Sequence, residues 1–373
     1  MKYYIIAGEA SGDLHASNLM KALKSKDKMA EFRCWGGDLM EQQGGEIIKH
    51  YRDLAYMGFT EVVANLGTIL SNIRFCKSNI LAYQPDAVIL VDYPGFNLRI
   101  AEFAKNQGLK VFYYISPQVW AWKKSRVFKI KKFVDRMFVI LPFEKAFYAR
   151  FGYDVDFVGH PLLDMIDQLP PNNSEKFIAD NALSGQPVIA LLPGSRKQEI
   201  RKMLSVMLEV TTDFPEYQFV VAGAPSIENN FYRGIIRDKN VKLISGQTHA
   251  LLQNSYAALV TSGTATLETA LFNVPEVVCY KGSYISYQIA LRVVDESKIK
   301  YISLVNIISD KEIVKELIQK KMTVSNMRRE LKAIVKDSTN RTRISNDYSD
   351  FKKRLGGGGA SVKTANLIVN LLK

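Results

Sequence analysis

Two glycine-bearing segments carry the residue types needed to hold a phosphorylated nucleoside: Leu191-Leu192-Pro193-Gly194-Ser195-Arg196 and Thr261-Ser262-Gly263-Thr264-Ala265-Thr266-Leu267-Glu268. Each follows an apolar run of strand length and precedes a helix-period segment. Small residues at such a junction leave backbone N–H groups uncovered at a helix N-terminus, where unsatisfied donors and the helix dipole both favour anions. Arg196 adds a forked cation suited to phosphate oxygens. Glu268, about one turn into its helix, is placed to accept hydrogen bonds from two ribose hydroxyls. Either loop alone is equally well an ordinary strand-to-helix turn, but two in one half of the chain favour a diphosphate and ribose site.

The first half offers different chemistry. Gly8-Glu9-Ala10-Ser11-Gly12-Asp13 comes directly after the first apolar run, which puts Ser11 and Gly12 at the carboxyl end of a strand, where open α/β sheets bind ligands. The spacing does not match the G-x-G-x-x-G nicotinamide fingerprint, and a purely geometric glycine turn is the competing reading. A second strand end carries Val91-Asp92-Tyr93-Pro94-Gly95-Phe96-Asn97. A carboxylate there can take a proton from an attacking hydroxyl held within hydrogen-bond reach, or it can merely cap the following turn. Residues 113–132 interleave aromatics with lysines, a pattern that fits nucleic acid, an anionic membrane surface, a phosphorylated acceptor or simply a solvated cationic helix face. Residues 59–80 repeat apolar positions at Phe59, Val62, Val63, Leu66, Ile69, Leu70, Ile73 and Ile80, the spacing of one helical face. Such a face is either buried in its own domain or, with Met57 and Phe59, left partly open for an acyl chain or the bilayer. The histidines His15, His50, His160 and His249 have no metal-ligand spacing, and His160, close to the expected hinge, is either structural, as a lone His more often is, or placed to touch a ligand.

These residues must be positioned by a chain of 373 residues, long enough for two domains of about 170 to 190 residues each. Short apolar runs alternate with helix-period segments throughout, the pattern of parallel sheets covered on both faces. Strands are expected at residues 3–7, 87–91, 111–115 and 137–141, and then at 188–192, 219–222, 241–244, 258–261 and 277–280. The turn-rich stretch 167–174 separates an expected first domain, 1–168, from a second, 169–345. Residues 346–373 form an expected helical tail, entered through the run Gly356-Gly357-Gly358-Gly359. A net charge of +13 calls for an anionic partner. Three widely spaced cysteines suit a reducing compartment, and no apolar run is long enough to span a membrane.

Gly8 to Asp13, Ser116-Pro117-Gln118-Val119-Trp120-Ala121-Trp122, Leu141-Pro142-Phe143-Glu144-Lys145-Ala146-Phe147-Tyr148, Leu191 to Arg196 and Ser262 to Glu268 resemble the corresponding segments of lipid-A-disaccharide synthases. The tryptophan-bearing and Phe-Glu-Lys-Ala-Phe-Tyr segments are the more specific, and the matches run from residue 8 to about 308. The resemblance implies an α/β protein of GT-B architecture, two facing Rossmann-like domains. It implies an inverting transferase joining UDP-2,3-diacylglucosamine to 2,3-diacylglucosamine 1-phosphate through a β-1,6 linkage, with release of UDP. Asp92 becomes the candidate general base on the acceptor 6-hydroxyl. Arg196, with the Gly194 and Ser195 backbone, falls on the UDP diphosphate. Ser262, Gly263 and Thr264 fall on the phosphates, Glu268 on the ribose, and Asn306 on a donor-site position. Gly95 departs from relatives that carry a second acidic residue there, so the base rests on Asp92 alone. Helix N-termini and Arg196 can stabilise departing UDP, so no cofactor and no metal is expected. The expected setting is cytoplasmic, peripheral on the inner face of the inner membrane, against an anionic membrane surface, with no nucleic acid and with a homodimer left open. A UDP-sugar 2-epimerase, or another GT-B transferase with a soluble substrate, is the nearest alternative, and a nucleic-acid-binding module the more distant one.

Overall fold

The computed structural model describes residues 1–54, 66–122, 125–281 and 300–373. They form two α/β units, one of residues Met1–Asp167 with Leu355–Lys373 and one of residues Gln168–Arg354. In the first unit the strands are β1 (Lys2–Ala7), β2 (Glu31–Gly36), β3 (Glu46–His50), β4 (Ala87–Val91), β5 (Lys110–Tyr114), β6 (Arg136–Val139) and β7 (Asp156–Phe157). They pair in the order β3-β2-β1-β4-β5-β6-β7, parallel throughout. In the second unit β8 (Val188–Leu192), β9 (Gln218–Gly223), β10 (Val241–Ser245), β11 (Ser255–Thr261), β12 (Glu276–Tyr280) and β13 (Lys315–Ile318) pair in the order β10-β9-β8-β11-β12-β13, again parallel. All nine expected strands are present. β2, β3, β7 and β13 are additions that the apolar pattern did not reveal.

The central strands are apolar along their whole length because both faces are covered. Tyr4, Ile6, Val88, Leu90, Tyr113 and Val139 point into one core. Tyr3, Ile5, Ala7, Ile89, Val91, Phe112 and Phe138 point into the other. This is the reason a parallel strand reads as a continuous hydrophobic run rather than an alternating one.

Helix Leu66–Tyr83 turns Ile73, Cys76 and Ile80 into the first of these cores, while Leu70, Phe75 and Leu81 remain exposed on its other sides. The apolar face expected over residues 59–80 is therefore divided. Its positions up to residue 65 lie outside the described residues, and of the rest Ile73 and Ile80 are core. Helix Arg126–Phe133 likewise buries Val127, Ile130 and Phe133 and exposes Phe128, Lys129, Lys131 and Lys132. Lys123 and Lys124 lie outside the described residues.

The four-glycine run is a turn into an ordered helix, Ala360–Leu372. Gly359 takes a left-handed φ of +87°, at little cost for glycine, and its N–H donates to the Asp164 carboxylate. The helix buries Ala360, Ala365, Ile368 and Val369 in the core shared with helix Ala10–Lys26. Residues 346–354, by contrast, continue helix Ser338–Arg354 of the second unit.

Because Ile368 is fully buried, Ile368→Ala leaves a cavity and is expected to cost about 2–5 kcal/mol. Urea unfolding should show a lowered midpoint with an unchanged slope. A wild-type midpoint would show that the last helix contributes nothing to the first core.

Candidate active site

In each sheet the strand order reverses once, between β1 and β4 in the first unit and between β8 and β11 in the second. Helices leave such a pair toward opposite faces, so a crevice opens past the carboxyl ends. Register places Ala7 beside Val91 and Leu192 beside Val260. The Gly8 and Asp92 loops thus start side by side, and so do the Gly194 and Ser262 loops, although each pair is far apart in sequence.

In the first unit, Asp92 and Tyr93 leave β4 with φ of +44° and +48°. Left-handed backbone at a residue with a side chain costs on the order of 1–3 kcal/mol each, so neighbouring groups must hold it. The Asp92 carbonyl accepts the Tyr113 hydroxyl at 2.5 Å and Asn97 Nδ2 at 2.8 Å, and its N–H donates to the Tyr114 carbonyl at 3.2 Å. The Tyr93 ring lies directly against Gly8, where any Cβ would overlap it. These contacts fix the backbone, and Asp92 as a residue is exposed. Protein atoms around the carboxyl group nevertheless desolvate it in part, and that desolvation, reinforced by the nearby Glu9 carboxylate, pushes its pKa up to about 6.

The other residues of the first glycine loop divide their work. Asp13 is buried and accepts the N–H groups of Gly37, Leu39 and Met40, at 2.8, 3.2 and 3.2 Å, so it ties the loop after β2 to helix Ala10–Lys26. Gly12 packs against Ala7, with 3.2 Å for an added Cβ, and its role is close packing. Ser11 is exposed at the crevice. His15 and His160 are both desolvated, which lowers their pKa values to about 4 and about 3, and His160 is lowered further by His15. His160 Nδ1 accepts the Leu162 N–H at 3.2 Å, in keeping with a structural role.

The tryptophan-bearing and Phe-Glu-Lys-Ala-Phe-Tyr segments prove to hold each other. Ser116 Oγ is 2.7 Å from the Tyr148 hydroxyl, and the Trp120 ring meets Phe143 edge-on at 5.0 Å. Glu144 is buried and accepts the Leu141 N–H at 2.9 Å. Burial drives its pKa up to about 7, with hydrogen bonds from Leu141 and Ser116 opposing the rise. Sequence reasoning missed Glu9, Tyr113 and Glu144 as neighbours of Asp92 or of its supporting segments, although all three stand inside segments it had singled out.

In the second unit, Gly194 has φ +106° and lies against the Glu199 carboxylate, so an added Cβ would overlap it. Glu199 also accepts the Ser195 N–H at 3.3 Å. The first nucleotide-type loop is therefore braced from within its own helix, Lys197–Met207, while Ser195 and Arg196 are exposed. The second loop presents Gly263 and Thr264 to solvent at the start of helix Thr264–Leu271. Ser262 Oγ donates to the Ile302 carbonyl at 3.5 Å, which links this loop to the segment before helix Leu304–Ser309. Glu268 is half-buried, with its Oε2 3.6 Å from His249 Nε2.

Asn306 sits one step behind these loops. It is fully buried, and its amide is saturated within the unit: Nδ2 donates to the Val314 carbonyl and Glu316 at 2.8 and 2.9 Å, and Oδ1 accepts Ile313 and Val314 N–H groups at 2.8 and 3.1 Å. Glu316 in turn accepts the N–H groups of Ile302 and Ser303 and the Ser303 hydroxyl, at 2.9, 2.9 and 2.7 Å. Asn306 thereby anchors the segment that Ser262 bonds to, and its amide has no remaining capacity for a ligand.

A family model described as lipid-A-disaccharide synthetase matches residues 3–368. The chain is 39% identical over 376 residues to the lipid-A-disaccharide synthase of Syntrophus aciditrophicus (strain SB), covering 99% of this chain and 97% of that protein. It is 36% identical over 375 residues to the one of Myxococcus xanthus (strain DK1622), with the same coverage of each. Among solved structures it resembles UDP-GlcNAc 2-epimerase from Neisseria meningitidis bound to UDP-GlcNAc, with TM-score 0.68, 14% identity and coverage of 99% and 100%. It also resembles the glycotransferase of kitacinnamycin, with TM-score 0.65, 13% identity and coverage of 100% and 99%. At such identities the structural likeness is one of fold, two Rossmann-like units.

Replacing Asn306 with alanine removes four side-chain hydrogen bonds and strands buried partners, at an expected cost of about 2–4 kcal/mol. A fall in the thermal midpoint of the second unit, followed by its hydrogen exchange, is the expected result. Wild-type protection across residues 300–318 would contradict the anchoring role.

Proposed function

The chain belongs to the lipid-A-disaccharide synthase family, and from that membership we propose which of its residues act on each substrate. The enzyme is a glycosyltransferase of lipid A biosynthesis that takes a UDP-sugar donor and a lipid acceptor, joining UDP-2,3-diacylglucosamine and 2,3-diacylglucosamine 1-phosphate into the β-1,6-linked disaccharide 1-phosphate and UDP.

Asp92 is the general base. Its carboxylate takes the proton of the acceptor 6-hydroxyl as that oxygen attacks the anomeric carbon from the face opposite UDP. The bond from that carbon to the diphosphate breaks, the configuration inverts, and UDP departs with the electron pair. Support comes from Asp92, an exposed residue at the strand-order reversal of the first sheet, with its carboxyl pKa raised toward neutrality. The Arg196 guanidinium and the N-terminus of helix Thr264–Leu271 stabilise the diphosphate, with Gly194, Ser195, Ser262, Gly263 and Thr264 lining it. Glu268 accepts the ribose hydroxyls. Ser11 borders the acceptor side by its exposed hydroxyl, with Gly12 packed against Ala7 behind it. Asn306 acts by holding the donor loop.

The acceptor and donor are diacylated, so we place the work on the cytoplasmic face of the inner membrane. Among the described residues no helix is long and apolar enough to cross a membrane. Leu70, Phe75 and Leu81 on helix Leu66–Tyr83, and Phe128 with Lys129, Lys131 and Lys132 on helix Arg126–Phe133, supply exposed apolar and cationic groups of the kind that rest on an anionic surface.

Asp92→Asn is expected to slow UDP release from the two diacyl monosaccharides by about a hundred- to ten-thousandfold with UDP affinity retained. In the wild type the base works only when ionised, so kcat/KM should fall as pH drops through about 6. Glu9→Gln removes a repelling carboxylate and should move that limb to lower pH. Near-normal turnover of Asp92→Asn, or a limb indifferent to Glu9, would remove Asp92 from this role.

Flotation with vesicles tests the surface. Each Lys or Arg near an anionic bilayer contributes about 1 kcal/mol, screened by salt. Recovery should be high with anionic vesicles at low salt and fall as salt rises. Equal recovery on neutral vesicles at both salt levels would eliminate the electrostatic contribution, and no recovery anywhere would eliminate the membrane surface.

A further inference from the structure

His249 belongs to none of the loops assigned above. It is the second residue of helix Thr248–Gln253, which leaves β10 through Gly246 and leads into β11. Its Nε2 lies 3.6 Å from Glu268 Oε2, with side-chain exposures of 31% and 20%. Its ring lies 5.8 Å from the Phe272 ring, inclined by 35°. Phe272 follows Glu268 by four positions and caps the same helix, so both side chains lie on one helical face. The imidazole spans them, resting on the ring of one and facing the carboxylate of the other.

A carboxylate that must accept two hydroxyl hydrogens at once needs its plane fixed before the ligand arrives. Otherwise binding bears the entropy of freezing the terminal rotations of a glutamate. A separation of 3.6 Å is longer than a hydrogen bond, so the imidazole restrains Glu268 through its polarity together with its bulk. Phe272 restrains the imidazole in turn.

We propose that His249 is a positioning residue of the nucleoside site, holding the Glu268 carboxylate toward the two ribose hydroxyls from a helix that belongs to neither nucleotide loop. This rests on the reading of Glu268 as the ribose acceptor. It deepens that reading by tying recognition of the sugar of the leaving nucleotide to a third segment of the unit.

The test compares binding of UDP and 2′-deoxy-UDP by calorimetry to the full-length protein. Wild type is expected to favour UDP, and Glu268→Gln to abolish that preference. His249→Phe keeps an aromatic ring against Phe272 but loses the polar nitrogen. It should reduce the preference by about three- to tenfold through weaker UDP binding, with 2′-deoxy-UDP nearly unaffected. His249→Gln, which restores a polar group, should recover most of it. If His249→Phe retains the wild-type ratio while Glu268→Gln loses it, the role of His249 is overturned and the reading of Glu268 stands. If Glu268→Gln retains the ratio, the ribose reading itself fails and His249 with it. Equal loss of both ligands in His249→Phe, without rescue by His249→Gln, would mark a general structural defect and also overturn the proposal.

Discussion

A parallel sheet whose strand order reverses must send the connections of two neighbouring strands to opposite faces, and nothing then covers the backbone between their carboxyl ends. This chain does so twice, at β1/β4 and at β8/β11. The pairing β8 to β11 is what makes one feature of Gly194 and Ser262, and the pairing β1 to β4 makes neighbours of Glu9 and Asp92, whose carboxylates feel each other. The crevice also dictates where strain is tolerated. The left-handed pair Asp92 and Tyr93 is held by Tyr113 and Asn97 on one side and admitted by the bare backbone of Gly8 on the other. A tighter or more regular turn would cap β4 equally well but would not aim a carboxyl group out of the sheet end.

How much of this was legible in the sequence follows from which forces are local. The central strands were, because burial on both faces makes them uninterrupted apolar runs. β2 carries Glu31 and Arg33, β3 carries Glu46, Lys49 and His50, and β13 carries Lys315 and Glu316, all polar positions that dilute the signal. β7 has two residues, too few for any period. These four strands form through pairing with neighbours already in place, and pairing leaves little mark on composition. The glycine loops and Asp92 were legible as residue types at strand ends. Their partners were not: Tyr113 reaches Asp92 from the next strand, and His249 reaches Glu268 from another connection of the sheet. Asn306, which the resemblance put at a donor-site position, makes four bonds inside the fold, and that inward role could not be read from the sequence.

Two acids of the first unit, Asp92 and Glu144, have pKa values raised toward neutrality, to about 6 and about 7. A raised pKa near neutral is what a general base needs, so acidity alone does not choose between them. Geometry separates them. Glu144 is 1% exposed, takes the Leu141 N–H and lies beside the Ser116 hydroxyl that meets Tyr148. A substrate hydroxyl cannot reach it without unpacking the two most distinctive segments of the chain from each other. Asp92 directs its backbone bonds inward and is an exposed residue. The two raised carboxyls thus sit in different settings: that of Glu144 is enclosed where two segments bond to each other, and that of Asp92, which we propose as the base, belongs to an exposed residue at the sheet end.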